Sequence, residues 1–375
     1  MRHVLIALIS LSLIAVPTAA AAQQAGQLIA ADPVSDTPAG MQAWRVRYWT
    51  SDGSGRLREV TGMVVAPREA IPREPRRVIA WTHGTWGIAS RCAPSASPNF
   101  WGVTVALDAV KSGQVVIAPD YPGLGSASMH PFLVGLDTGR SVVDGVRAAR
   151  QLAGASAGAR YAVWGESQGG HAALWTAQIS RAYAPELELV GAAAAAPPTD
   201  LIENLRQSPN TTVRTFFTAY IGRSWATHYG APLTTFGGPQ TRAIITRLAN
   251  NNCIELHSKP KLGQILGILT LQGRLKNVDL GRVQPWASLA RRNSPTTARI
   301  GVPLLIAQNA KDDLVAPAVT AAHVRALCRS GNRVRRIAIT GEGHATSARD
   351  SATATLEWIG DRFAGKPAPN DCGRG

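Results

Sequence analysis

Beyond its N-terminal leader the chain has no apolar run approaching the roughly 20 residues a membrane-spanning helix needs, so no transmembrane segment is expected in the mature protein. It has no Cys-x-x-Cys pair. Its four cysteines, Cys92, Cys253, Cys328 and Cys372, are too dispersed, and too far from paired histidines, to read as a zinc site. Acidic residues are scarce, 24 Asp and Glu against 39 Lys and Arg, for a formal charge of +15. Such an excess invites a nucleic-acid reading, but the basic residues are scattered. They cluster only in pairs such as Arg76-Arg77, Arg291-Arg292 and Arg335-Arg336, with no basic run interleaved with aromatics. Nucleic acid is therefore not expected as a partner, and the charge reads as solubility plus attraction to anionic surfaces or substrates.

What is present begins with Met1-Arg2-His3, an apolar run over 4–16 and a small-residue stretch ending at Ala22, the three parts of a secretory signal peptide over residues 1–22. The protein should be exported, to a periplasm or beyond. An even number of cysteines in an oxidising destination favours two disulfides, with three pairings open by arithmetic.

A leader rich in Pro, Ala and Gly reaches about Gly40, and the alternating segment 43–66 around Asp52-Gly53-Ser54-Gly55 predicts a hairpin. Repeated strand-then-helix units follow. Apolar runs at 77–82, 114–119, 159–164, 187–193, 302–308 and 334–340 read as strands, with helical patterns at 103–111, 138–152, 169–183, 318–328 and 345–363. The fold class is α/β, a mainly parallel sheet with helices on both faces. One connection is far too long for such units. Residues 198–298 read as a helical insertion (201–206, 213–222, 241–250 and 262–271) between core segments 23–197 and 299–375, with an apolar face at Ile265-Leu266-Gly267-Ile268-Leu269. At that point in the sheet it would sit over the carboxyl ends of the strands, as a cap or lid.

Gly165-Glu166-Ser167-Gln168-Gly169 has apolar strand residues before it and a helix-prone run after it. That is the context of a nucleophile elbow, in which a serine hydroxyl stands exposed on a tight strand-to-helix turn against the positive end of a helix. Ser167 is the expected nucleophile. A serine needs an imidazole to take its proton and a carboxylate to orient that imidazole, and in this fold both should follow on loops after later strands. Those loops carry Asp312 and Asp313, and Glu342 with His344. His344 is the expected base, either adjacent aspartate can serve as the acid, and Glu342 reads as a solvated charge. His3 leaves with the leader, His228 and His257 fall in the insertion, and His323 lies in a helix pattern. His171, one turn past Ser167, reads as structural, and position alone leaves His130 open. The oxyanion donors expected are the N–H of Gln168 and that of Thr85 in the loop Trp81-Thr82-His83-Gly84-Thr85, with His83 as a brace. Trp86 and Trp101 read as aromatics near the site. This chemistry calls for no metal and no organic cofactor.

With His83-Gly84-Thr85, Ser90-Arg91-Cys92-Ala93-Pro94-Ser95, Asp120-Tyr121-Pro122-Gly123-Leu124-Gly125, the serine motif, Leu314-Val315-Ala316-Pro317 and Gly343-His344, the chain resembles the secretory lipase family of α/β-hydrolases. The resemblance implies an α/β-hydrolase fold and a carboxylic-ester hydrolase acting on acylglycerols or similar esters through an acyl-enzyme. It puts the acid on Asp312, makes the insertion a lid over an acyl-binding tunnel with transient contact to a lipid interface, and pairs Cys92 with Cys253, which leaves Cys328 for Cys372. A short-chain esterase, or a peptidase or acyltransferase on the same triad, stays open at this stage. So does a non-enzymatic basic surface-binding protein.

Overall fold

The computed structural model describes residues 22–254 and 262–373. The expected leader, Ala22 apart, and His257 lie outside the described residues.

Among the described residues nine strands form one sheet: β1 (Leu28–Val34), β2 (Met41–Ser51), β3 (Leu57–Pro67), β4 (Arg76–Thr82), β5 (Val115–Pro119), β6 (Ala157–Glu166), β7 (Glu188–Ala195), β8 (Leu304–Asn309) and β9 (Val334–Ile339), in the order β1-β2-β3-β5-β4-β6-β7-β8-β9. The β1–β2, β2–β3 and β3–β5 pairs are antiparallel, and every pair from β5 to β9 is parallel. Side chains that alternate along each strand supply two cores. Val78 and Ala80, Val115 and Ile117, Tyr161 and Val163 point to one face. Ile79 and Trp81, Val116 and Ala118, Ala162 and Trp164 point to the other. This two-sided burial explains why the parallel strands read as near-continuous apolar runs.

The helices are α1 (Phe100–Val103), α2 (Gly135–Arg150), α3 (Gln168–Tyr183), α4 (Leu201–Gln207), α5 (Thr211–Tyr229), α6 (Pro239–Asn251), α7 (Leu262–Leu275), α8 (Trp286–Asn293), α9 (Pro317–Arg329), α10 (Ser347–Asp350) and α11 (Ala352–Phe363). Residues of α2, α3 and α9 join the first core and those of α11 the second, so the expected α/β class is the one observed.

Several expectations need correction. The leader up to Gly40 is not featureless, because Leu28–Val34 adds an edge strand to the hairpin; its residues are half exposed, which hides the periodicity. The helix expected over 103–111 is α1 followed by a 3-10 segment, Val105–Ser112, that stops at Gly113 with φ 84°. The helix expected over 345–363 is broken at Ser351, whose hydroxyl donates to the Ser347 carbonyl and competes with the helix's own bonds. Between β7 and β8, α5 runs longer than its periodicity indicates, and α8 is additional.

Helices α4 to α8 enclose their own apolar cluster around Tyr220, Trp225, Ile245, Leu248, Leu271 and Trp286, to which Ile88 and Phe132 of the core loops also belong. Two disulfides are present. Cys92–Cys253 (Cα–Cα 5.2 Å) joins the segment after β4 to the insertion, and Cys328–Cys372 (5.3 Å) ties the C-terminal tail to α9.

Candidate active site

The chain passes from β6 to α3 through Ser167, whose φ of 53° is rare for a residue with a side chain. Holding it costs on the order of 1–3 kcal/mol, and neighbouring contacts enforce it. Ser167 N–H donates to the Ala195 carbonyl of β7 at 2.8 Å, and its carbonyl accepts the His171 N–H that starts α3. A Cβ on Gly165 would lie 1.9 Å from Thr82 Oγ1, and one on Gly169 would lie 1.8 Å from the Thr82 carbonyl oxygen. The two glycines thus let the end of β4 close on the turn. The first N–H groups of α3 have no partner within their own helix and present positive charge beside the serine.

Asp312 and His344 lie on the loops after β8 and β9. His344 Nδ1–H donates to Asp312 Oδ2 at 2.8 Å. The Asp312 Oδ1 accepts the N–H groups of Leu314 (3.0 Å) and Val315 (2.9 Å), and Oδ2 also accepts from the Gln308 side-chain amide (2.9 Å). Burial pushes the Asp312 carboxyl up, but the bond to His344, that ring's charge and the two backbone donors outweigh it and hold the group below the usual carboxylate range. Asp313 is exposed and accepts from Asn210 at 3.3 Å; Glu342 is exposed too. The neighbouring aspartates therefore point apart, and Asp312 is the one that meets the imidazole. His344 Nε2 is buried with no hydrogen-bond partner among the described residues.

Ser167 and His344 line one cavity of about 350 Å³, walled by Trp81, Trp86, Phe100, Phe216, Phe217 and Ile268 among others. Thr85 lines it as well. Thr85, Ser167 and Gln168 also border a second, smaller space of about 50 Å³. Of the two tryptophans expected near the site, Trp86 borders the larger cavity. Trp101 does not; it packs edge-on against Phe100 (5.1 Å), which takes that place.

His130 does not meet the serine. Burial lowers its pKa to about 3, so the ring is neutral. Its Nδ1–H donates to the Pro122 carbonyl (2.9 Å), which leaves Nε2 to accept the Gln168 side-chain amide at 2.6 Å. It braces Gln168. His171 Nε2–H donates to the Asn293 carbonyl (2.7 Å), joining α3 to α8. His83, held neutral by burial at a pKa of about 4, lies between the carbonyls of Gly84 (2.6 Å) and Asp120 (3.2 Å). Sequence reasoning overlooked Gln308, Phe216, Phe217 and the role of His130. Adjacency to a strand end could have flagged Gln308; the others carry no local signal.

The arrangement is that of an α/β-hydrolase, a mainly parallel sheet whose carboxyl ends carry a strained serine, an aspartate and a histidine in that class's chain order. The chain belongs to the secretory lipase family, whose sequence model matches residues 102–233 and 282–371. Among relatives, Lipase 10 of Candida albicans is 26% identical over 358 residues, covering 88% of this chain and 74% of its own. A Mycobacterium tuberculosis protein named "Probable inactive lipase MT1628" is 25% identical over 357 residues, with 88% and 75% covered. In fold, the chain is similar to Candida antarctica lipase A (TM-score 0.74, 19% identity, 93% of this chain and 84% of that one). It is also similar to the rice cell wall degrading esterase LipA from Xanthomonas oryzae (TM-score 0.68, 19% identity, 91% and 97%). The protein is thus a carboxylic-ester hydrolase of the lipase and esterase class, with an ester or lipid substrate. Its secretory family and its two disulfides mark it as exported. No helix among the described residues is long and apolar enough to cross a membrane.

Proposed function

We propose that this enzyme hydrolyses acylglycerols or similar apolar esters through a Ser167–His344–Asp312 triad. The observation that carries this reading is that a serine on a strained turn and a histidine held by a buried carboxylate border one apolar-walled cavity. With Nδ1–H committed to Asp312, the free Nε2 of His344 is the site that accepts the serine proton. Ser167 Oγ attacks the ester carbonyl, and the N–H groups of Gln168 and Thr85 receive the charge on its oxygen. His344 then returns the proton to the leaving alcohol, giving an acyl-enzyme that a water, deprotonated by the same imidazole, resolves.

The 198–298 insertion acts as the lid. Ile268 of α7 borders the cavity, while Ile265, Leu266 and Leu269 of the same helix are 41%, 56% and 58% exposed. A helix that walls the site on one side and presents neighbouring exposed apolar side chains on another suits transient contact with a lipid surface. The 50 Å³ space beside Gln168 supports a second reading, a short-chain esterase that seats a small acyl group there.

Hydrolysis of p-nitrophenyl esters of increasing acyl length, by the oxidised wild type beside Ser167→Ala, tests both. Rates that rise with chain length and vanish in Ser167→Ala establish the lipase. Activity confined to acetate and butyrate establishes the esterase, and equal rates in the two proteins refute the serine assignment.

A further inference from the structure

Glu166 is a carboxylate that the triad leaves over, although it immediately precedes the nucleophile. It borders the same cavity as Ser167 and His344. On one side it meets Gly84, where a Cβ would stand 3.7 Å from both its Cγ and its Oε1. On the other, its Oε2 accepts the Ala348 N–H at 3.3 Å, four residues beyond His344. Its carboxyl therefore bridges the serine turn and the segment that carries the histidine.

We propose that Glu166 is a second carboxylate of the histidine, a positioning residue that ties the His344 segment to the serine turn and whose charge supports the imidazolium formed when Ser167 gives up its proton. This rests on the triad reading above. The groups that face Glu166 are few. His344 and Arg349 reach it electrostatically from the histidine segment and α10, and Tyr121 from the segment after β5; Asp312 holds Nδ1 of His344. Burial raises the Glu166 carboxyl to about 7 against the pull of the His344 ring, the Ala348 N–H and Arg349. The charge of Glu166 therefore depends on pH near neutrality. No bond forms to Glu166 and no proton need pass to it, since its contribution is a charge beside a ring that becomes cationic.

The sign follows directly. An ionised Glu166 favours imidazolium, so it moves the acid limb of the rate profile to higher pH. Glu166→Gln keeps an oxygen for Ala348 N–H and nearly the same volume, and so removes the charge alone.

The test uses the full-length oxidised protein and p-nitrophenyl butyrate between about pH 5 and 9, the range in which an imidazole titrates. Competent sites are counted with a fluorophosphonate. In Glu166→Gln the acid limb of kcat/KM should move down by about half a unit or more, with kcat per titrated serine reduced several-fold and KM little changed. Glu166→Asp, which retains the charge, should restore the limb towards its wild-type position. A Glu166→Gln profile superimposable on wild type, or a loss equal at every pH and matched by a loss of titratable serine in both variants, overturns the proposal. Ser167→Ala, run in parallel, keeps the failures apart. If it is inert while the Glu166→Gln profile is unmoved, only the Glu166 inference falls, whereas activity in Ser167→Ala removes the triad reading itself.

Discussion

Asp312→Asn is the substitution whose outcome the geometry constrains most tightly. The carboxylate accepts four hydrogen bonds, from Leu314 and Val315 N–H on Oδ1 and from His344 Nδ1–H and the Gln308 amide on Oδ2. An asparagine has one oxygen. If that oxygen stays with the backbone pair, the amide nitrogen opposes Gln308 and faces His344 Nδ1, which must then accept, leaving the proton on Nε2, where the ring cannot serve as the base for Ser167. If the amide turns over, two buried backbone N–H groups face another donor, a loss of about 1–3 kcal/mol for each group left unsatisfied. The first arrangement is the less costly, so the protein should fold and carry the wrong tautomer. The expected loss in kcat is about 10³–10⁴-fold, roughly 4–5.5 kcal/mol of transition-state stabilisation. Asp313→Asn, at an exposed side chain, should stay near wild type. The assay is p-nitrophenyl butyrate hydrolysis per titrated serine, with thermal unfolding to establish folding. Near-normal kcat in Asp312→Asn, or a large loss in Asp313→Asn, would refute the reasoning.

Two further outcomes follow from packing. Gly169→Ala would place a methyl group 1.8 Å from the Thr82 carbonyl oxygen, so it should lose about 1–3 kcal/mol or more and most activity, whereas Gly273→Ala on α7, with nothing among the described residues within 4 Å, should be neutral or gain up to about 1 kcal/mol; denaturant titration of the two variants reads the difference. Cys253→Ser opens a bond that spans 161 residues, for which the loop-closure model gives an upper figure of about 5 kcal/mol; a fall in Tm beyond that of Cys328→Ser, which opens a span of 44, is the expected order in thermal scans.

The sequence by itself determined the parallel part of the sheet and the serine turn at its edge. Strands buried on both faces need an unbroken run of apolar residues, so β4 to β9 were legible from local pattern. A tight turn with a reactive side chain needs small residues on each side, so the serine motif announced itself. It did not determine what depends on direction or on distant neighbours. Asp312 and Asp313 are equivalent in a string of letters, and only the loop after β8 turns one inward to His344 and the other outward to Asn210. His130 has no local mark that says whether it faces Ser167 or Gln168, and Phe216 and Phe217 become cavity walls only because α5 folds back over the sheet. Glu166 occupies the variable place in its motif, and its bond to Ala348 spans 182 residues. Local pattern encodes which residues are buried; which of them meet is fixed by chain packing, because contacts between segments so far apart leave no period to read.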